Sequence, residues 1–181
     1  MSIMVNRNRL YVPVSDILLP DATPHGNVLD SSGNEYFAKE TFPIQLHMLN
    51  SNKCSCYATA SDGRAKDEEN TQSVVNSNNE KIYLSQYVGK RLYVDYDITI
   101  SPANQGVALR GRVTVLASTS NDDYELGHYA SYSSTKGRLN IDIPELADNY
   151  YLRIKLYCYM QGMNVARSVK VTVSNISINN I

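Results

Sequence analysis

The stretch that decides the fold is YYLRIKLYCYM (150–160), followed by QGMN (161–164) and VARSVKVTVSNISI (165–178). In its first limb Leu152, Ile154, Leu156, Cys158 and Met160 fall on one side, and Tyr151, Arg153, Lys155, Tyr157 and Tyr159 on the other. Alternation over that length is the period of a strand with one dry and one wet face. The second limb repeats it, with Val169, Val171 and Val173 inward and Lys170 and Thr172 outward. The next apolar pair, Ile176 and Ile178, is out of phase by one residue, which predicts a β-bulge near Ser174-Asn175. Gly162 and Asn164 tolerate positive φ and supply turn chemistry, so residues 150–178 read as a hairpin.

Outward from this stretch, strand signals recur. Leu92, Val94, Tyr96, Ile98 and Ile100 alternate with Arg91, Tyr93, Asp95, Asp97 and Thr99 after a turn at Val88-Gly89-Lys90. A strand runs from Val107 and Leu109 through Gly111 to Val113 and Val115. Residues Tyr124 to Tyr132 suit an edge strand, and Leu139, Ile141 and Ile143 form another that Pro144 stops. Earlier, Phe42 to Met48 alternates, and Cys54 to Ala60 suits a further strand. The stretch from Ser61 to Glu80 is so rich in Asp, Glu, Asn and Ser that it reads as a mobile loop, with room for a short strand at Val74-Val75. No helical period of useful length, heptad or fixed repeat occurs. The pattern predicts an all-β, antiparallel two-sheet sandwich over residues 41–181. Residues 1–40 hold Pro13, Pro20 and Pro24 and no sustained period, and read as an irregular N-terminal arm or as early strands of the same domain.

Composition narrows the function classes. The chain has 181 residues, of which 43% are hydrophobic and 19% charged, with a net charge of −1. A chain of that length buries roughly 70% of its unfolded surface without disulfides or metal. There is no basic run, so no nucleic acid or anionic membrane partner is expected. No signal-peptide pattern and no membrane-spanning run are visible. Cys54, Cys56 and Cys158 make an odd number, and the first two are too close for a relaxed disulfide, so reduced thiols are expected. His25, His47 and His128 belong to no ligand motif, and neither a metal nor another cofactor is expected. No nucleophile elbow or phosphate-binding glycine loop is present.

Tyrosine stands out, with 14 Tyr against 2 Phe and no Trp. It suits half-buried strands and contact surfaces alike. The wet face of Tyr151, Arg153, Lys155, Tyr157 and Tyr159 is therefore the candidate binding or interface surface, joined by Tyr93 if both strands share a sheet. Burial against protein, contact with a glycan and plain exposure are the readings of that face. Asp95 and Asp97, about 7 Å apart on one strand face, suit a glycosidase, a calcium ion or ordinary solvation. Asp122-Asp123 sits in a polar loop and reads as solvated.

The portion from Leu84 to Ile178 resembles the back half of a carbohydrate-binding-module-type jelly roll, through LSQYVGKRLYVDYDITI, KGRLNIDIP and the closing YLRIKLYCYM and SVKVTVSNISI. The resemblance extends to jelly rolls of phage virions, found in head fibres, capsid decoration and tail or baseplate parts. It implies a non-enzymatic structural protein of a phage particle, made in the host cytoplasm and located in the virion. Such a protein would form a homo-oligomer and attach to other virion proteins by its arm. The alternative it implies is a carbohydrate-binding module or adhesin for a host-surface glycan. A glycan-active enzyme using Asp95 and Asp97 is the third expectation.

Overall fold

In a computed structural model the described residues are 42–103, 108–162 and 164–181, together with four backbone strands nearer the N-terminus. The chain divides into two compact units, Met1–Thr41 and Phe42–Ile181. In the first, β1 (Met4–Asn6), β2 (Arg9–Tyr11), β3 (Val28–Leu29) and β4 (Glu35–Tyr36) form one sheet in that order. The expected irregular arm thus contains paired strands. Each is two or three residues long, too short to show a period.

The second unit holds β5 (Ile44–Met48), β6 (Lys53–Ala58), β7 (Lys66–Val75), β8 (Arg91–Ser101), β9 (Leu109–Ser118), β10 (Asp123–Ser131), β11 (Thr135–Asp142), β12 (Tyr151–Met160) and β13 (Arg167–Asn179). No α-helix occurs among the described residues, only a 3-10 turn at Leu84–Tyr87. One layer has the order β10-β9-β12-β7 and the other β6-β13-β8-β11, with β5 extending the β6 position and pairing with both β13 and β7. All these pairs are antiparallel. The pairs β6·β13, β7·β12, β8·β11 and β9·β10 nest like one long folded hairpin, wound so that β13 meets β8 and β12 meets β9. That winding is a jelly roll. The all-β, two-sheet sandwich expected from the alternation, and the jelly roll that the resemblance implied, are the fold of this unit.

The core follows from that alternation. Leu152, Ile154, Leu156, Cys158 and Met160 are fully buried, as are Leu92, Val94, Ile98, Val169 and Val171. Gly111 faces inward on β9, where a Cβ would come within 2.6 Å of Ile98 Cγ2 and 2.9 Å of Val171 Cγ2. Bare backbone there lets the opposite sheet approach closely. Cys54, Cys56 and Cys158 are buried free thiols. Cys54 Sγ donates to the carbonyl of Glu68, which pairs with Cys158, so the three gather where β6 faces β12.

Three expectations need correction. The two limbs of the C-terminal stretch are not a hydrogen-bonded hairpin. The β12 strand is flanked by β7 and β9, and β13 by β6, β5 and β8, so the connection arches from one sheet to the other. Alternation cannot distinguish the two, because both place the apolar sides face to face. Gly162 also does not use positive φ; its role is space, since a Cβ would lie 2.0 Å from the carbonyl oxygen of Gly63. Among the described residues positive φ occurs at Asn79 and Gly89. Finally, half of the expected loop from Ser61 to Glu80 is the ten-residue strand β7. Its core-side positions are polar because it lies beside the β5–β6 turn. Asn70 Nδ2 donates to the carbonyls of Ser51 (3.0 Å) and Lys53 (2.9 Å), and Asn50 Nδ2 donates to Gln72 Oε1 (3.0 Å). Hydrogen bonds replace apolar packing there, so no hydrophobic period marks the strand. The predicted bulge is present, as a register shift between Val173 and Asn175.

Candidate functional site

Register builds the outer face of the β10-β9-β12-β7 sheet as rows of side chains. Arg112 on β9 lies opposite Tyr157 on β12, which lies opposite Glu69 on β7. One row along, His128, Thr114, Lys155 and Thr71 align across all four strands. The next row is Glu125, Leu116, Arg153 and Ser73. Arg110, Tyr159 and Asp67 form the row on the other side of Tyr157. A groove of about 380 Å³ crosses these rows. Its floor includes Thr114 and Leu116, both buried although they point away from the core, and its walls include Arg110, Arg112, Tyr157, Lys155 and Glu69. Asp123 and Glu125 close it on the β10 side.

Most of the charges in the groove hold one another. Lys155 Nζ lies 2.6 Å from Glu69 Oε2, and Arg112 Nη2 donates to Glu125 Oε2 at 2.8 Å. Arg112 Nε donates to Thr114 Oγ1 at 3.0 Å, and His128 Nδ1 lies 2.5 Å from the second Glu125 oxygen. Arg153 Nη1 reaches Asp123 Oδ1 at 3.5 Å. The Lys155 contact, helped by the Thr71 hydroxyl, holds the Glu69 carboxyl below its ordinary range. Burial pushes the Tyr157 phenol up, with the Asp67 charge adding to the shift. The Arg110 guanidinium sits 5.8 Å from the Tyr157 ring centre. Its Nε is buried and has no hydrogen-bond partner among the described residues.

The predicted face is thus split. Lys155 and Tyr157 line the groove, and Arg153 flanks it. Tyr159 is half-buried beside Arg110. Tyr151 stands at the far end, edge-to-face with Tyr83 (centroids 6.4 Å) and beneath the Lys81 ammonium at 4.1 Å. Tyr93 lies on β8, in the other sheet, so it does not join this surface; Arg138 covers its ring at 5.4 Å. Asp123, expected in a loop, begins β10 and closes the groove. Arg110, Arg112, Glu69 and Glu125 were not singled out by the sequence. The alternation of β9 turns its arginines outward, but their meeting with Tyr157 depends on strand order.

Asp95 and Asp97 are occupied elsewhere. Arg138 makes a forked contact with Asp95, with Nη2 to Oδ2 at 2.9 Å, and Lys136 Nζ lies 2.9 Å from Asp97. The Arg138 contact holds the Asp95 carboxyl below its ordinary range, unlike a general acid. His47 pairs with Asn79, and His25 lies outside the described residues. Among the described residues no group of three or more His, Cys, Asp or Glu side chains could hold a metal ion. No helix there is long and apolar enough to cross a membrane.

Comparison of the sequence with protein families and with curated proteins finds no match. Among solved structures the chain is similar to a carbohydrate-binding module, CBM28, specific for non-crystalline cellulose, with 10% identity and a TM-score of 0.42 over 76% of this chain and 82% of that one. It is similar to a CBM4 structure with 12% identity and a TM-score of 0.36, covering 72% of this chain and 90% of that one. The VP2 subviral particle of infectious bursal disease virus is also similar, with 10% identity and a TM-score of 0.35, over 90% of this chain and 38% of that one. The first two are modules of the kind that residues 84–178 resemble. The jelly-roll class itself rests on the strand order described above.

Proposed function

We propose that this protein is a non-catalytic binding module that takes a carbohydrate in the groove across β9 and β12. The observation that carries this reading is Tyr157, set among the ionised side chains of Arg110, Arg112, Lys155, Glu69 and Glu125 in one open groove. A sugar ring offers an apolar face to an aromatic side chain and a rim of hydroxyls to fixed donors and acceptors. Charged groups already held by partners are preorganised for such a rim, since no further ordering is needed on binding. Lys155 holds the Glu69 carboxyl of the groove below its ordinary range, which suits a fixed hydrogen-bond acceptor better than a general acid.

A glycan array with the whole chain tests this. Binding of at least one saccharide class, weakened in Tyr157→Ala while the thermal unfolding transition is kept, is the expected result. No binding to any glycan, with the wild-type protein folded, rejects the reading.

The separate N-terminal unit favours a second reading, in which the module belongs to a phage particle. That unit would attach to other virion proteins, and the sandwich faces would meet further copies of the chain. Light scattering separates this from a free-standing module. A monodisperse monomer that binds no virion protein rejects it.

A further inference from the structure

The cations of the groove are not equally satisfied. Lys155 is matched to Glu69, Arg112 to Glu125, and Arg153 at its edge to Asp123. Arg110 also lines the groove, yet no ion pair joins it to an acid among the described residues. Asp67, on the same row, is two strands away, with Tyr159 between them. Arg110 Nε has given up water without gaining an acceptor. A buried donor left unpaired is unfavourable, and natural structures seldom leave one without a role. A guanidinium presents its donors as a planar fork, which a carboxylate matches with two parallel hydrogen bonds.

The geometry points to an acidic saccharide as the ligand, a uronic or sialic acid unit whose carboxylate docks on Arg110 while its ring lies against Tyr157. This rests on the carbohydrate reading of the same groove. A neutral sugar satisfies Arg110 less well, because a hydroxyl gives a neutral acceptor about half as strong and cannot occupy both tines of the fork. Among the described residues Arg112 and Lys155 have acidic partners and Arg110 has none, so a ligand carboxylate would supply the ion pair that this one lining cation lacks.

The test uses the whole chain and a panel of oligosaccharides containing galacturonate, mannuronate, glucuronate or sialic acid. Each is paired with its carboxyl-reduced neutral counterpart, and calorimetry measures both. At least one acidic member should bind about ten- to hundredfold more tightly than its neutral counterpart, the size of one charge-assisted contact. That advantage should shrink as salt is raised. Arg110→Gln should remove it while residual affinity for the reduced sugar stays, and Arg110→Lys should keep part of it. Arg138→Gln, on the other sheet, should leave it intact.

Equal affinity for acidic and neutral counterparts overturns the inference and leaves the carbohydrate reading standing. So does an acidic preference that survives in a folded Arg110→Gln protein, because the carboxylate then docks elsewhere. Absence of binding to every member of the panel and to neutral glycans removes both.

Discussion

The two outer faces of the sandwich carry the same kinds of side chain in the same alternation, and they end as different surfaces. On the β8·β11 face each charge meets its opposite directly across the strands: Asp95 with Arg138, Asp97 with Lys136, and Arg91 with Asp142. Such a ladder is complete within itself: Arg138, which lies over the Tyr93 ring as Arg110 lies over that of Tyr157, is held by Asp95. On the β9·β12 face the partners are not in one row. Arg112 reaches past Thr114 to Glu125, and Lys155 reaches back from the Thr71 row to Glu69. These diagonal pairs leave an open groove and an Arg110 with no acidic partner among the described residues. Register and not composition therefore decides whether the charges of a sheet face pair along a row or leave a groove between rows.

The comparison can be broken most severely at the divide between face and core. Leu156 and Tyr157 are neighbours on β12 with opposite environments. Leu156→Asp buries an uncompensated charge, at a cost of several kcal/mol, comparable with the whole stability of a domain. Circular dichroism should show no cooperative unfolding transition for it, whereas Tyr157→Ala should keep one. A smaller effect is expected at Gly111, between the two groove arginines. Gly111→Ala forces a methyl into Ile98 and Val171 and should cost about 1–3 kcal/mol in denaturant unfolding.

The next contrast is between tyrosines. Tyr157→Ala should weaken saccharide affinity about two- to tenfold, the range for one aromatic contact, and Tyr93→Ala should leave it unchanged. Equal losses would mean that the two faces are not functionally distinct.

The smallest effect concerns pH. Asp95, Asp142 and Glu69 are all held below the ordinary carboxylate range by a cationic partner. The folded protein thus favours their ionised forms, and this stability is present above the unfolded-state carboxyl range. It is lost as pH falls through that range and down to the lowered folded-state values. Exposure and salt screening keep the loss small. The melting temperature should decline gently in acid, and Arg138→Gln should flatten part of that slope.

Much of the fold was legible because burial on one side of a strand imposes a period of two. The strands from Leu92 to Ile100 and from Leu152 to Met160 declared their inner faces directly, and the slip before Ile176 announced the bulge. The β7 strand was illegible because its inner side satisfies itself by hydrogen bonds to the β5–β6 turn. The arch between β12 and β13 was illegible because alternation says which side is dry, not which strand lies alongside. The site was half legible for the same reason. Lys155 and Tyr157 were marked by their own strand, but Arg110, Arg112, Glu69 and Glu125 come to them from three other strands.

The account turns on the claim that one outer face binds and the other does not. Backbone amide NMR during titration of the folded chain with its best saccharide ligand tests that claim most directly. Shifts concentrated at residues 110–116, 153–157 and 69, with β8 and β11 silent, are predicted. Shifts centred on residues 91–99 and 136–142, or on neither face, would contradict it.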